Sequence, residues 1–544
     1  MLFFYSQYIY VIYSLYIYVL CITMADSKCI QMIQTNFSLY GLVLSRELRV
    51  SFAKQLLKIP QNERESWLNR IIELILAQNL DDPHVGAEHI KIAIEECLEP
   101  NKLKDTETVF NVIDGYNIPK IKYDISKKKF VIDNENSYPE TQYKSLVFKY
   151  RFEMAWYKTL RHKQFLSSKF EKQQTHKTNL IPIEYLLSEL RTGNVCIMGL
   201  ITQLMEDQYY LEDTSGTVKI DLSNTDFQDT FIMEGFIVIA NGVYKDDVLH
   251  VKTIDLPPIE SSESLRSDFG DTNTFGGSHN ISLKMSEKLQ IHEETNQDGM
   301  IVFIAELWLD VPHVLQKFKT ILDGYMDYPP IAFVLCGHFL SFPTNITSAK
   351  TLITGFKNLV EIITQYTSIK EFTKFIFVPG PHDLGSPKIL PKPPLPKCII
   401  EEVTKMIPNA IFTTNPCRIQ YCTKEIVILR EDMLTKMCRN ALHFPKEEHF
   451  FKHFAKAIIS QSHLTPVPLQ VVPVYWKYDH ALQIFPTPDL IVIADNFETY
   501  TTNYSDCYVI NPGMFAKNNY SFQSYVPAIN QIQDCQLPND INVT

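Results

Sequence analysis

From residue 300 onward, apolar runs of strand length recur along the chain, and each ends in polar or turn residues. They are "MIVFIAELWLD", "PPIAFVLCGHFLSF", "FTKFIFVPGPHD", "EIVILRED" and "PDLIVIADNF". Stretches of helical spacing lie between several of them, for example "TLITGFKNLVEIITQYTSI". Strands alternating with helices predict a layered α/β sandwich. In such open architectures sites form beyond the carboxyl ends of the strands. The polar tips are therefore the places to look for chemistry.

Taken in order, the tips resemble those of the calcineurin-like metallophosphoesterases. Active members carry Asp-x-His, Gly-Asp, Gly-Asn-His, a lone His and Gly-His-x-His, which hold two divalent ions around a bridging carboxylate. Here Glu306 stands in place of the first Asp and Trp308 in place of its His, and an indole has no lone pair for a metal. His338 in "CGHFLS" replaces the bridging carboxylate, and Pro381 in "PGPHD" replaces the metal-binding Asn. His382 is retained, and His463 in "SQSHLTP" fits the lone-His position. Asp495 and Asn496 stand where the paired histidines belong, ahead of "INPG" at 510–513. With Glu306 and Asp495 as the remaining anions, the expectation is a pocket too poor in carboxylates for two dications, hence no catalytic residue, no cofactor and no metal. His382 and His463 are expected to be structural hydrogen-bonding residues.

At 544 residues the chain exceeds one ordinary core and is expected to form several domains. Its net charge of −11 opposes indiscriminate DNA coating, so any DNA contact needs a local basic patch. Eleven cysteines are scattered without paired CxxC sets, which reads as reduced thiols. Cys417 and Cys422 in "CRIQYC" are expected to be buried strand cysteines. Residues 1–23 are uncharged but carry six tyrosines, no basic flank and no small-residue cleavage site. They read as a hydrophobic leader outside the mature protein, with "MADSK" at Met24 as the working start and a membrane anchor as the alternative.

Residues 30–105 are expected to form a helical domain. In "NERESWLNRIIELILAQN" the apolar face is read as Trp67, Ile71, Leu74 and Ile75, and a second helix carries Ile90, Ile94 and Cys97. Residues 106–178 read as a basic linker with one helix, striped by Tyr143, Val147, Tyr150, Met154 and Tyr157. Its cations could meet a nucleic-acid backbone or simply form a solvated face. Residues 179–257 switch to short strands, as in "YYLEDTSGTVKIDL", and predict a five-stranded OB barrel. Acidic neighbours of Tyr209 and Tyr210 are the wrong sign for single-stranded nucleic acid. Residues 258–299 are polar and read as a linker, and 300–544 as the phosphoesterase-like domain. The proline-rich strip at 389–397 is read as a docking ledge or an ordinary surface loop. The fold class is thus multidomain α+β: a helical N-terminal domain, an OB barrel, and a calcineurin-like α/β sandwich lacking its metal ligands.

This order of domains, with "GSPKILPKPPLPKCI", "FTTNPCRIQYCTKEIVILRED", "KMCRNALHFP", "SQSHLTPVPL" and "VPVYWKYDHAL", resembles the B subunits of eukaryotic replicative DNA polymerases, and among them those of the epsilon type. The resemblance implies a nuclear, non-catalytic accessory subunit in chromosomal DNA replication. It implies that the barrel and inactive domain hold the zinc-bearing C-terminal domain of the polymerase's catalytic subunit. The N-terminal domain would link to the replicative helicase, with DNA a partner of the complex and no membrane involved. The leader and His382 depart from the family pattern. The alternatives are the B subunit of a sister polymerase and a metal-dependent phosphodiesterase with an atypical mononuclear site at Glu306, His382 and His463.

Overall fold

The structure is a computed structural model that describes residues 28–57, 59–60, 64–76, 83–98, 109–133, 143–162, 164–165, 179–188, 193–267, 269–279, 281–446 and 449–538. The expected leader lies outside these residues. No helix among the described residues is long and apolar enough to cross a membrane. The chain divides into two compact units, 1–107 and 108–544.

The first unit is helical. Helices at 28–39, Arg46–Leu56, Arg64–Leu76 and Ala87–Leu98 surround Ile33, Phe37, Phe52, Leu68, Ile72 and Ala93. The Ser45 hydroxyl caps the second helix by accepting from the Leu48 N–H at 3.3 Å, which satisfies an otherwise orphan donor. Helix Arg64–Leu76 buries Leu68, Ile71, Ile72 and Ile75, so its inward face is turned by one residue from the expected one. Trp67 and Leu74 lie at its margins, only partly covered, because four aliphatic residues at i, i+3, i+4 and i+7 define a narrower stripe. Ile90 is buried and Ile94 half-buried on the next helix, while the Cys97 side chain lies outside the described residues.

In the second unit, strands Gly193–Met205, Gln208–Glu212, Thr217–Asp221, Ile237–Lys245 and Val248–Asp255 close into the five-stranded barrel. Inward Leu211, Val218 and Leu249 alternate with more exposed residues. The ladder shifts register at Gly242, where a Cβ would come within 2.2 Å of the His250 carbonyl oxygen, so only glycine fits. Helix Tyr143–Arg161 packs Phe152 and Ala155 against Cys196, Met198, Ile237 and Ile239 on the barrel's outside.

Two six-stranded sheets form the sandwich. The first runs Ala410–Phe412, Lys374–Val378, Ala332–Cys336, Ile301–Ala305, Ser521–Val526, Gln531–Gln536. The second runs Tyr500–Tyr504, Cys507–Asn511, Leu490–Ala494, Lys424–Arg430, Cys417–Tyr421, Phe110–Asp114. Parallel pairing of the inner strands brings their carboxyl ends to one edge, where the Glu306 N–H donates to the Cys336 carbonyl and the Gly337 N–H to that of Val378. Cys417 and Cys422 are fully buried.

Three segments differ from expectation. Residues 106–178 carry, beside the helix, the edge strand Phe110–Asp114 and a hairpin of Lys120–Asp124 with Lys129–Asp133, whose Lys120 and Lys122 both pair with Asp133. The described residues of 258–299 form a strap along the second sheet, with helices Ser262–Ser267 and Glu287–Thr295. Arg266 grips Glu425 with two hydrogen bonds, Lys284 donates to Asp489 at 2.6 Å, and Glu293 accepts from both the Thr423 N–H and hydroxyl. Polar composition here reflects ion pairing to a sheet rim. The proline strip is no free ledge either: Leu390, Pro391, Lys392 and Leu395 are buried, because the strip threads between Asn415 and Val474.

Candidate functional site

The carboxyl ends of four strands converge on one side chain, Arg430. It closes strand Lys424–Arg430 and is completely buried. Its Nη2 donates to Glu306 Oε1 at 2.7 Å, and its Nη1 donates to Asp432 Oδ1 at 2.9 Å and to the Ala494 carbonyl at 3.0 Å. Its Nε donates to the Gly337 carbonyl. A guanidinium has five N–H donors in a rigid fork, and this one meets acceptors on three neighbouring tips at once. Burial disfavours its charge, but Asp432 and Glu306 more than compensate and raise its pKa further.

Glu306 holds a left-handed backbone conformation, φ 59°, just beyond its strand. Its Oε1 also lies 2.9 Å from His338 Nδ1, and its Oε2 accepts from Trp308 Nε1 at 3.2 Å. Burial works against its ionisation, yet the His338 hydrogen bond and the Arg430 charge hold its carboxyl down at about 2. His338 Nδ1 also lies 3.2 Å from Arg430 Nη2, and its Nε2 is buried without a hydrogen-bond partner. The Trp308 ring lies under Lys517, whose Nζ is 5.3 Å from the ring centroid.

The Gly-Pro-His-Asp corner is held from within. Asp383 accepts from the Phe339 N–H at 3.0 Å and the Gly380 N–H at 2.8 Å, clamping two tips together. Gly337 must be glycine, since a Cβ there would overlap Asp383 Oδ2 at 1.8 Å. Lys392 Nζ donates to the carbonyls of Gly380 at 2.8 Å, Pro381 at 3.3 Å and Asp383 at 2.7 Å. The His382 ring sits 4.8 Å from that of His338, with Nε2 3.4 Å from Lys388 Nζ. Burial, then the neighbouring His338 and Lys388, lowers its pKa.

His463 belongs to another cluster. Its Nδ1 accepts from the Thr465 N–H at 3.1 Å and its Nε2 faces Asp479 Oδ1 at 3.4 Å. Arg151, from the helix outside the barrel, completes that cluster with a two-point contact to Asp479. With Nδ1 accepting and Nε2 bearing the proton toward a carboxylate, the ring offers no lone pair to a metal. That removes His463 from the mononuclear alternative.

At the last tip Asp495 is buried; its Oδ2 accepts from the Leu434 N–H at 2.6 Å while Oδ1 finds no partner. Asn511 of "INPG" accepts from the Asp495 N–H at 3.1 Å, and the exposed Asn496 donates its own N–H to Asp432 at 3.1 Å. The residues present do not fit two divalent ions. Glu306 and Asp432 bracket a guanidinium, and Asp383 is committed to backbone donors. The reason is not the one expected from the sequence: Glu306, Glu431, Asp432 and Asp495 are all at hand, so carboxylates are plentiful and the cation is supplied by the chain.

Known proteins match this chain along its length. Profiles for "DNA polymerases epsilon N terminal", for "DNA polymerase epsilon subunit 2-like, OB-fold domain" and for the B subunit of DNA polymerases alpha and epsilon match residues 28–97, 141–258 and 301–502. DNA polymerase epsilon subunit 2 of Homo sapiens is 39 % identical over 526 residues, covering 94 % of this chain and 99 % of that one. The chain belongs to the DNA polymerase epsilon subunit 2 family. The Drosophila melanogaster member is 36 % identical over 517 residues, 94 % of this chain and 98 % of its own. A solved archaeal phosphodiesterase is similar over 44 % of this chain and 99 % of its own, at 13 % identity and a TM-score of 0.24. In this epsilon subunit 2 family member the tip residues missed in the sequence are Arg430 and Asp432. Their signal is a charged triplet, "RED" at 430–432, set directly against an apolar strand.

Proposed function

We propose that the barrel and sandwich act together as the surface that holds the zinc-bearing C-terminal domain of the polymerase's catalytic subunit. The helical unit would link the complex to the replicative helicase, in the nucleus and with DNA as a partner of the whole assembly. The chain itself is an accessory subunit of DNA polymerase epsilon in DNA replication and not an enzyme. The observation that carries this reading is the near full-length match to subunit 2 proteins, with three family profiles matched in succession along the chain. In support, the strand tips that would present catalytic ligands are tied to Arg430 instead.

The test is affinity purification of the tagged full chain from its own cells. The expected result is co-purification of the epsilon catalytic subunit in equal amount, with no turnover of a generic phosphodiester in Mn²⁺. Recovery of another polymerase's large subunit, or phosphodiester hydrolysis lost in His382→Ala, would overturn the reading.

A further inference from the structure

The structure assigns Arg430 the place of the metal ions: we propose that this pocket is a divalent-cation site that the chain has plugged with its own guanidinium. The inference rests on the pocket's geometry and stands whether or not the polymerase reading holds. In a two-metal phosphoesterase, cations between the strand tips neutralise the carboxylates and tie the tips together. Arg430 does both. It neutralises Glu306 and Asp432 through contacts of 2.7 and 2.9 Å, and it bonds the backbone carbonyls of Gly337 and Ala494 at two further tips. Of the other nearby acids, Glu431 has a cation of its own in Lys436 at 2.8 Å.

Two observations point to a cation position and not merely to a buried ion pair. An imidazole nitrogen and a carboxylate oxygen, both metal-ligating atom types, border the guanidinium: His338 Nδ1 lies 3.2 Å from Arg430 Nη2, and Asp495 Oδ1 is buried at a neighbouring tip without a hydrogen-bond partner. Lys392 repeats the substitution one loop away, where an ammonium is bound by three backbone carbonyls, the ligand type of a hard cation. A guanidinium is charged at every physiological pH and cannot be chelated away. The fold is thereby made independent of metal supply, and with the guanidinium in place no group of three or more His, Cys, Asp or Glu among the described residues is set to hold a metal ion.

Replacing Arg430 should therefore uncover a site. We would compare the full-length wild type with Arg430→Lys, Arg430→Met and the neutralised chain Arg430→Met/Glu306→Gln/Asp432→Asn. Each would be stripped with chelator and then titrated with Mn²⁺ alone. Arg430→Met, which keeps volume but loses charge, is expected to melt roughly 5 °C or more below wild type, and Arg430→Lys to lose about half as much. Mn²⁺ should restore most of the Arg430→Met loss and be retained at about one ion per chain. It should leave the wild type and the neutralised chain unmoved. Stoichiometric Mn²⁺ on the wild type would overturn the proposal, as would an Arg430→Met chain as stable as wild type or indifferent to Mn²⁺. Should Arg430→Met fail to fold even with Mn²⁺, the neutralised chain decides. Its recovery as soluble, cooperative protein supports charge compensation as the role of Arg430, and its failure sinks it.

Discussion

Asp495 is a buried carboxyl at a strand tip whose two oxygens meet different surroundings. One oxygen accepts a single N–H and the other meets nothing polar, so burial pushes the carboxyl up to about 7, with Asp432 and Glu431 adding to the rise. A carboxyl whose pKa is raised on folding holds its proton more tightly in the folded chain. Its contribution to stability is then fully present below about 4 and is lost as pH rises through about 7. Asp495→Asn keeps an oxygen for the Leu434 N–H and removes the charge. We expect equal thermal midpoints for variant and wild type near pH 4 and, above it, a gap that opens in the variant's favour to a few degrees by pH 8, read by scanning fluorimetry. A constant offset across that range would contradict it. The residue scale is also where the sequence is least complete. Glu306, His338 and Asp495 are legible because each follows an apolar run, but which partner each finds depends on side chains from other strands. Arg430 reads as the end of a strand until its three acceptor tips are brought around it.

At the scale of elements, helix Tyr143–Arg161 decides between two uses of its cations. Arg151 makes a two-point contact with buried Asp479, and Lys158, itself buried, donates to the Ser460 carbonyl at 2.9 Å and the Ser462 hydroxyl at 2.7 Å. Burial lowers the Lys158 pKa to about 8. These charges fasten the helix to the sandwich, which supports a structural role over a nucleic-acid one. Arg151→Ala leaves Asp479 buried and uncompensated, so we expect a loss of about 3 kcal/mol and faster amide exchange along the helix. Exposed Lys144→Ala should stay within about 0.5 kcal/mol of wild type, and equal effects from both would contradict the assignment. The stripe of this helix is legible in part: Val147 and Met154 are buried as expected, Tyr143, Tyr150 and Tyr157 are half-buried, and Phe152 and Ala155, off the stripe, are buried as well. Periodicity does not report what binds a polar segment. The strap's helices are short and lie on the sheet rim by ion pairs such as Arg266 with Glu425, so their composition resembles that of a linker.

At the scale of the second unit, barrel and sandwich are one folding body. A single core joins Ile197 and Phe236 of the barrel to Phe454, Ile458 and Leu464 of the sandwich. Strand Ile232–Met233 pairs with Ala441–His443, and the Gln461 side-chain amide both donates to and accepts from the backbone of Ile237. Strand-by-strand reading finds each domain but not this fusion, because the contacts join residues more than two hundred positions apart. The segment ahead of the barrel belongs to the same body. Strand Phe110–Asp114 covers the outer side of strand Cys417–Tyr421, the Gly115 N–H donates to the Thr414 hydroxyl at 2.6 Å, and the Tyr116 hydroxyl donates to the Pro391 carbonyl at 2.9 Å. Cys417 and Ile419 on the covered strand are completely buried, so its exposure would present an unpaired, apolar strand edge to other chains. A fragment of residues 108–544 should therefore be monodisperse and melt cooperatively, whereas one beginning at Tyr143 should melt at lower temperature and associate. Light scattering and calorimetry on the two fragments would check this. Equal behaviour would mean that the second sheet closes without its sixth strand, and that the segment before the barrel is a tether after all.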